Sequence, residues 1–100
     1  MADVVWRPRA IRHLHQIFEY IRQQNRSAAA RYVAELKRAC ESLGEFPEKA
    51  RRYDARYRAL VFRNHLVVYR YAAVENKVFI AAIIDSRRDV AAIVRDLSDT

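Results

Sequence analysis

The sequence predicts an α+β fold of two layers, in which an N-terminal strand and a helical hairpin pack on a twisted antiparallel sheet. Two observations carry this prediction. Up to residue 46 apolar residues recur at three- and four-residue steps, whereas beyond Pro47 β-rich runs are joined by short connections. Helices that precede an antiparallel sheet, instead of alternating with its strands, are typical of α+β domains. With 100 residues, the chain is expected to form one domain over residues 1–100.

The first half of the chain predicts one strand and two helices. An apolar run over residues 3–6 indicates the strand, and Pro8 suits the first turn of the helix that follows. The apolar stripe of this helix consists of Ile11, Leu14, Ile17, Phe18 and Ile21. Asn25 is expected to end the helix in a left-handed conformation, Ser27 to cap a second helix, and Gly44 to end that one. Because the connection is short, the two helices should form an antiparallel hairpin.

The second half predicts three strands and a short C-terminal helix. The strands are expected over residues 57–62, 66–72 and 78–84, and the connections between them are short enough for β-hairpins. They therefore form an antiparallel meander. Beyond it, residues 89–97 carry apolar residues at helical spacing, with Asp89 placed to cap the helix. The predicted order is strand, helix, helix, three strands and helix.

The charge of the chain is unevenly distributed. The 19 Lys and Arg exceed the 12 Asp and Glu, for a formal net charge of +7, and residues 49–70 hold seven of the cations against one anion, Asp54. Tyrosines lie among these cations. Such a composition is typical of RNA-binding surfaces, although basic patches also bind acidic proteins and a solvated sheet edge has the same composition. The sequence therefore predicts an anionic partner and leaves its class open.

The composition also excludes several classes of protein. One cysteine, Cys40, cannot form an internal disulfide, and its place on the apolar stripe predicts a buried side chain. The longest apolar run, residues 78–84, is far too short for a membrane span, and we find no export signal, so a cytoplasmic protein without membrane association is expected. His13 and His15 point about 200° apart on a helix and are expected on its solvent side, so no metal is expected. No cofactor is expected either, since one glycine cannot make a Gly-rich phosphate loop.

Ordered motifs run along nearly the whole chain. They include Trp6 at the end of the first strand, Phe46-Pro47 after the hairpin, Tyr69-Arg70-Tyr71 on the meander, and Arg87-Arg88-Asp89 near the end. In this order and spacing, the chain resembles the ParE/RelE superfamily of small toxins from type II toxin–antitoxin modules. The resemblance is greatest to the ParE-like, plasmid-stabilisation branch. It implies the same hairpin-on-sheet fold that the periodicities predict.

The resemblance implies a cognate antitoxin as partner. Such an antitoxin has a DNA-binding N-terminal domain and an acidic or amphipathic C-terminal segment that wraps around the toxin. The segment needs exposed apolar surface to bind. The candidate residues lie on the first and last helices: Ile17, Tyr20, Ile21, Val90, Ile93, Val94 and Leu97. The same residues are also placed to close the toxin's own core.

The resemblance implies one of two targets. ParE-like members act on DNA gyrase by binding it, whereas RelE-like members are ribosome-dependent mRNA endonucleases. A third reading is a non-toxic member that retains only antitoxin binding. The basic face expected to bind the target consists of Arg52, Arg56, Arg58, Arg63, Arg70, Arg87 and Arg88.

Departures from the RelE-like pattern favour binding over cleavage. Cleavage of RNA needs a proton acceptor and a proton donor beside cations. For a nuclease, the candidates are Arg56, Arg63, Arg87 and a histidine in a hairpin turn, His65. Many relatives carry His four residues before the residue that matches Asp89, where this chain has Asp85, and no terminal Tyr or Lys follows. The resemblance therefore implies a gyrase-binding toxin, for which we assign no catalytic residue, with the mRNA endonuclease as the alternative.

Overall fold

The order of elements in the computed structural model, which describes residues 1–98, is strand, two helices, four strands and helix. The first half holds β1 (Asp3–Trp6), α1 (Pro8–Arg22) and α2 (Arg26–Glu41), followed by a 3₁₀ turn at Ser42–Gly44. The second half holds β2 (Arg51–Arg52), β3 (Arg58–Phe62), β4 (His65–Ala72), β5 (Lys77–Asp85) and α3 (Val90–Ser98). The predicted α+β class, a helical hairpin followed by a meander, is confirmed.

The strands form one sheet in the order β1-β5-β4-β3-β2. As predicted, β3, β4 and β5 are an antiparallel meander. β1 differs from the prediction because it lies parallel to β5, with Val4 opposite Val78, so the sheet is mixed. A parallel neighbour requires a long crossover, which the hairpin and the other strands supply. β2 has no counterpart in the prediction, because two exposed arginines show no apolar alternation.

The connection between α1 and α2 corrects two predictions. Asn25 does not adopt a left-handed conformation, since its φ of −160° is extended backbone. Its side-chain oxygen accepts a hydrogen bond from the backbone N–H of Ala28 at 3.0 Å, so Asn25 and not Ser27 caps α2. Asn is among the strongest N-cap residues, because its short side chain reaches a backbone N–H that the helix leaves unpaired. Ser27 therefore lies in the first turn of α2.

Gly44 follows α2 as predicted, but its φ is not positive, so it is not a left-handed cap. The backbone N–H of Ala2 donates to the carbonyl oxygen of Gly44 at 2.8 Å. A Cβ at this position would lie 2.7 Å from the carbonyl oxygen of Ala2, which is too close for a real contact. The missing side chain thus lets the chain before β1 approach the end of the hairpin.

The two faces of the sheet bury different clusters. The hairpin cluster, under α1 and α2, includes Leu14, Leu36, Cys40, Val67, Tyr69, Val78 and Ile80. The α3 cluster, on the other face, consists of Tyr57, Val68, Ala82, Ile84, Val94 and Leu97. Neighbouring residues of β4 alternate between the two clusters because side chains of a strand point to opposite faces. α3 thus adds a partial third layer to the two predicted ones.

Two predictions about single residues are confirmed. Cys40 is fully buried, and burial raises the pKa of its thiol to about 12. Asp89 caps α3, because its Oδ1 accepts a hydrogen bond from the backbone N–H of Ala92 at 3.2 Å. Within residues 1–98, no helix is long and apolar enough to cross a membrane.

Candidate partner-binding cleft and arginine hollow

A cleft opens between the helical hairpin and the end of the sheet where β4 begins and β5 finishes. We call it the helix–sheet cleft, and its volume is about 440 Å³. It is lined by His13, Gln16, Ile17, Tyr20, Ile21, Tyr32, Asn64, His65, Ile83, Asp85, Arg87 and Arg88. The cleft therefore combines an apolar rim from α1 with charged and polar groups from the sheet.

The apolar rim contains all three antitoxin-binding candidates of α1. Tyr20 is 64% exposed, although it is a large aromatic residue. Ile17 and Ile21 are half-buried beside it and line the same cleft. Exposed aromatic and aliphatic side chains that line a concave surface are typical of a binding site for a partner.

The four candidates of α3 are placed differently. Val94 and Leu97 are 3% and 7% exposed and pack in the α3 cluster. Val90 and Ile93 are half-buried against that cluster. In this structure the α3 residues close the protein's own core, so among the seven candidates those of α1 are the more open.

Tyr32 and His65 form the polar centre of the cleft. His65 is the first residue of β4 and does not lie in the turn as predicted, and its Nδ1 is 2.6 Å from the Tyr32 hydroxyl oxygen. Burial lowers the pKa of His65, against an opposing effect of the Asp85 charge, and burial raises the pKa of Tyr32. Both side chains are therefore neutral at pH 7. Since the hydroxyl has no other acceptor among the described residues, we assign it as the donor and Nδ1 as the acceptor.

Asp85 and Arg87 form an ion pair at the end of β5. Asp85 Oδ1 accepts hydrogen bonds from the backbone N–H and the Nε of Arg87, at 2.9 and 3.0 Å, and Oδ2 accepts from Nη2 at 2.7 Å. These hydrogen bonds and the guanidinium charge hold the pKa of Asp85 well below its usual range. Asp85, whose role the sequence leaves open, thus carries a negative charge that compensates Arg87.

Arg63 is also compensated, by a residue of α2. It lies in the turn between β3 and β4 with a φ of 53°, a left-handed conformation that non-glycine residues seldom adopt. Its guanidinium forms a salt bridge with Glu35. It also lies over the rings of Tyr32 and Phe62, 5.4 and 5.2 Å from their centroids. These contacts tie the turn to α2 and leave Arg63 paired.

His13 of α1 accepts a hydrogen bond from the backbone of β5. The pairing of β1 with β5 ends where Trp6 lies opposite Ile80. Farther along β5, the backbone N–H of Ile83 donates instead to Nδ1 of His13, at 3.1 Å. The imidazole therefore satisfies a backbone donor that β1 is too short to reach.

The environment of His13 also corrects the sequence prediction. Burial lowers the pKa of His13, and the charges of Arg9, Arg12 and Arg88 lower it further. The expectation that this side chain lies on the solvent side of α1 is wrong, because its acceptor nitrogen bonds to the sheet. His15, by contrast, is exposed as predicted.

A second concavity lies at the start of α1, on the side of the sheet that α3 covers. We call it the arginine hollow, and its volume is about 250 Å³. Its arginines are Arg7, Arg9, Arg12, Arg56 and Arg70, and Tyr57 and Phe79 also line it. Arg70 and Arg7 lie over the Phe79 ring, 4.7 and 5.7 Å from its centroid. Among the described residues, no Asp or Glu lines the hollow.

The seven arginines of the predicted basic face occupy three places. Arg56 and Arg70 line the hollow, Arg87 and Arg88 line the cleft, and Arg52, Arg58 and Arg63 make contacts within the protein. Arg58 donates to the carbonyl oxygen of Ala50 at 2.9 Å and pairs with Glu48 at 3.5 Å. Arg52 donates to the carbonyl oxygen of Ala55 at 3.2 Å. The seven predicted arginines are thus divided among the hollow, the cleft and contacts within the protein.

The four nuclease candidates are likewise separated. His65 and Arg87 line the cleft, whereas Arg56 lines the hollow. Arg63 and Arg87 are each paired with a carboxylate. Nδ1 of His65 is occupied by the Tyr32 hydroxyl. The fold therefore does not bring these four side chains together around one reacting phosphate.

The helical hairpin on a five-stranded sheet agrees with the fold that the resemblance to the ParE/RelE superfamily implied. Residues 4–90 match the family described as the ParE toxin of the type II toxin–antitoxin system parDE. The chain therefore belongs to the ParE toxin family. As the toxin of a type II module, it has an antitoxin as partner.

Two known proteins are similar to this chain. A protein named Toxin RelE2, from Caulobacter vibrioides (strain ATCC 19089 / CIP 103742 / CB 15), is 42% identical over 73 residues, which cover 73% of this chain and 83% of that protein. A solved structure titled the chromosomal ParDE TA system from P. aeruginosa has a TM-score of 0.73 at 16% identity. That match covers 85% of this chain and 96% of the other and supports the fold.

Sequence reasoning missed the arginines that α1 brings to the hollow. Arg7, Arg9 and Arg12 lie in a half of the chain whose charges nearly cancel, so a count by segment overlooks them. A signal was present in the local sequence, because the first turn of α1 has no acidic residue to compensate these three cations. Tyr32 was also missed, since its partner on β4 is 33 residues away along the chain.

Proposed function

We propose that this toxin arrests growth in the cytoplasm by binding DNA gyrase, and that its antitoxin neutralises it by docking in the helix–sheet cleft. In this proposal the module serves to stabilise the replicon that carries it. The toxin itself makes and breaks no covalent bond. Membership of the ParE family supports the first part, and the shape and chemistry of the cleft support the second.

The exposed rim of α1 carries the proposal for the antitoxin. An amphipathic helix binds by placing apolar side chains in a groove at three- and four-residue steps. Ile17, Tyr20 and Ile21 line such a groove. Arg87 and Arg88 line its other side, and Arg88 forms no salt bridge with any described residue. A helix with an apolar face and acidic residues beside it fits both features.

The test of this interface is a pair of tyrosine substitutions. Tyr20→Ala should weaken binding of the antitoxin encoded beside the toxin by about thirtyfold or more, because a central aromatic anchor contributes about 2 kcal/mol. Tyr53→Ala is the matched control, since Tyr53 is 40% exposed and lies outside the cleft. Titration calorimetry measures both. Loss of binding by Tyr53→Ala with normal binding by Tyr20→Ala would place the antitoxin elsewhere.

The choice of gyrase over mRNA rests on the family and on the separated nuclease candidates. A ribonuclease needs a base with a free lone pair close to unpaired cations. Here Nδ1 of His65 is occupied by the Tyr32 hydroxyl and Nδ1 of His13 by the backbone N–H of Ile83. The candidate arginines Arg63 and Arg87 are each paired with a carboxylate.

Induction of the toxin in growing cells separates the two targets. Transcript integrity and plasmid supercoiling are measured in the same culture. Gyrase binding predicts altered supercoiling or broken DNA with intact transcripts. Rapid transcript cleavage with unchanged supercoiling would contradict the proposal and establish the endonuclease.

A further inference from the structure

The arginines of the hollow differ from Arg87 of the cleft and from Arg63 beside it, because no carboxylate of a described residue pairs with them. Among the described residues, none of the five guanidinium groups of the hollow takes part in a hydrogen bond or a salt bridge. Three of these groups lie near aromatic rings: Arg7 and Arg70 near Phe79, and Arg56 at 5.7 Å from the centroid of Tyr57. Like charges gathered in this way repel one another, and in the free protein no carboxylate among the described residues offsets that repulsion.

Two further features add positive potential at the same place. α1 begins at the hollow, and its first turn contains no acidic residue. Its N-cap, Arg7, makes no side-chain hydrogen bond to the free backbone N–H groups. The positive end of the helix dipole therefore adds to the charge of the side chains.

The basic surface continues beyond the hollow. Arg9 and Arg12 also line an adjoining depression, together with Arg88 and one carboxylate, that of Asp96. A ligand with several regularly spaced negative charges can therefore contact the hollow and continue along α1. A single small anion would leave most of these cations without a partner.

We infer that the arginine hollow binds the phosphodiester backbone of a nucleic acid and holds it without cleaving it. Guanidinium groups pair with phosphate oxygens in a fork, and each pair releases counterions from the nucleic acid. An acidic peptide draws much of its affinity from apolar anchors in pockets. The hollow offers few of these, since Arg7 and Arg70 already lie over the Phe79 ring.

The absence of cleavage follows from the side chains of the hollow. Within residues 1–98, its lining contains no His, Asp, Glu or Lys, and its tyrosine, Tyr57, is 5% exposed. General acid–base catalysis requires a group that exchanges a proton near neutral pH, and an arginine does not. The hollow is therefore a binding site by its composition.

Fluorescence anisotropy of labelled oligonucleotides tests this inference with the isolated full-length chain. The arms are duplex DNA, single-stranded DNA and RNA of the same sequence, each measured over a range of salt concentrations. The variant is Arg12→Gln/Arg56→Gln, because both side chains are exposed and their guanidinium groups form no hydrogen bond with described residues. The control is Arg26→Gln/Arg31→Gln, which removes the same charge from the exposed surface of α2.

The hollow variant should bind about tenfold more weakly than the control. The binding constant of the variant should also depend less on salt. Two lost phosphate contacts make the negative slope of log K against log salt shallower by about 1.8 on duplex DNA or about 1.4 on a single strand. The oligonucleotide that binds most tightly identifies the class of nucleic acid that the hollow binds. Equal losses in the variant and the control, or no binding in any arm, would overturn the inference, and cleavage of the labelled RNA would overturn the claim that it is held intact.

Antitoxin binding, measured on the same variants, keeps this inference separate from the proposed function. Arg12→Gln/Arg56→Gln should bind the antitoxin normally, and Tyr20→Ala should bind the oligonucleotides normally. If the hollow variant lost the antitoxin and kept the nucleic acid, the hollow would be a site for an acidic protein, and the inference would be wrong. Thermal unfolding of each variant shows that the fold is retained.

Discussion

The helix–sheet cleft and the arginine hollow both contain arginines, but a carboxylate pairs with Arg87 of the cleft and with none of the five arginines of the hollow among the described residues. At the cleft Arg87 is held by Asp85, and at the turn beside it Arg63 is held by Glu35. At the hollow, three of the five arginines lie over aromatic rings, and none of the five forms a salt bridge with a residue of the described range 1–98. A count of cations treats these groups as equal, whereas a ligand finds only the unpaired ones free.

The cleft and the hollow also differ in the buried cluster against which their lining residues pack. The walls of the cleft belong to the hairpin cluster, which contains Ile17 and Tyr32 at its margin and Ile83 in its interior. The hollow rests on the α3 cluster, through Tyr57 and Leu97. Because the two sites stand on different clusters, substitutions at one should leave the other intact, and the predictions below depend on this separation.

The largest effect is expected from Leu97→Ala, which tests whether α3 belongs to the core. Leu97 is 7% exposed, so its truncation should lower the free energy of unfolding by about 2–3 kcal/mol, measured by urea denaturation. Tyr20→Ala, at the exposed rim of the cleft, should change it by less than about 0.5 kcal/mol. Unchanged stability of Leu97→Ala would mean that α3 is not packed in solution and is open to a partner.

A smaller effect is expected from the two histidines of the cleft when the pH falls. The folded-state pKa values of His13 and His65 are both lowered, mainly by burial, so the unfolded chain binds more protons below its own histidine pKa of about 6.5. Their contribution to stability is therefore complete above that pH and is lost as the pH falls from 7 to 5. Urea denaturation across this range measures the loss.

Variants in which glutamine replaces a histidine show which histidine causes this pH dependence of stability. His13→Gln and His65→Gln should each flatten the fall in stability between pH 7 and pH 5. His15→Gln is the matched control, since His15 is exposed and makes no hydrogen bond with a described residue. If His15→Gln alone removed the pH dependence, the buried environment assigned to the other two histidines would be wrong.

How far the sequence predicts this molecule depends on the range of the interaction. The hairpin and the meander follow from local periodicity, and both are present. The cap of α2 was misplaced by two residues, because Asn25 and Ser27 are both good caps and only geometry chooses between them. The pairing of Arg63 with Glu35 spans 28 residues and has no local pattern. Charge composition predicts an anionic partner, which stays a prediction, and it did not locate the arginines of α1 that line the hollow.

The smallest effect is expected from Glu35→Gln, which converts a paired arginine into an unpaired one. The Arg63–Glu35 pair is partly exposed, so its loss should lower the free energy of unfolding by less than about 1 kcal/mol. Arg63 follows β3 whereas Arg56 precedes it, so the released cation lies outside the hollow. Oligonucleotide affinity should then rise less than about twofold, through net charge alone. A rise as large as the loss in Arg12→Gln/Arg56→Gln would mean that any unpaired arginine attracts nucleic acid equally well, and the distinction between the two regions would fail.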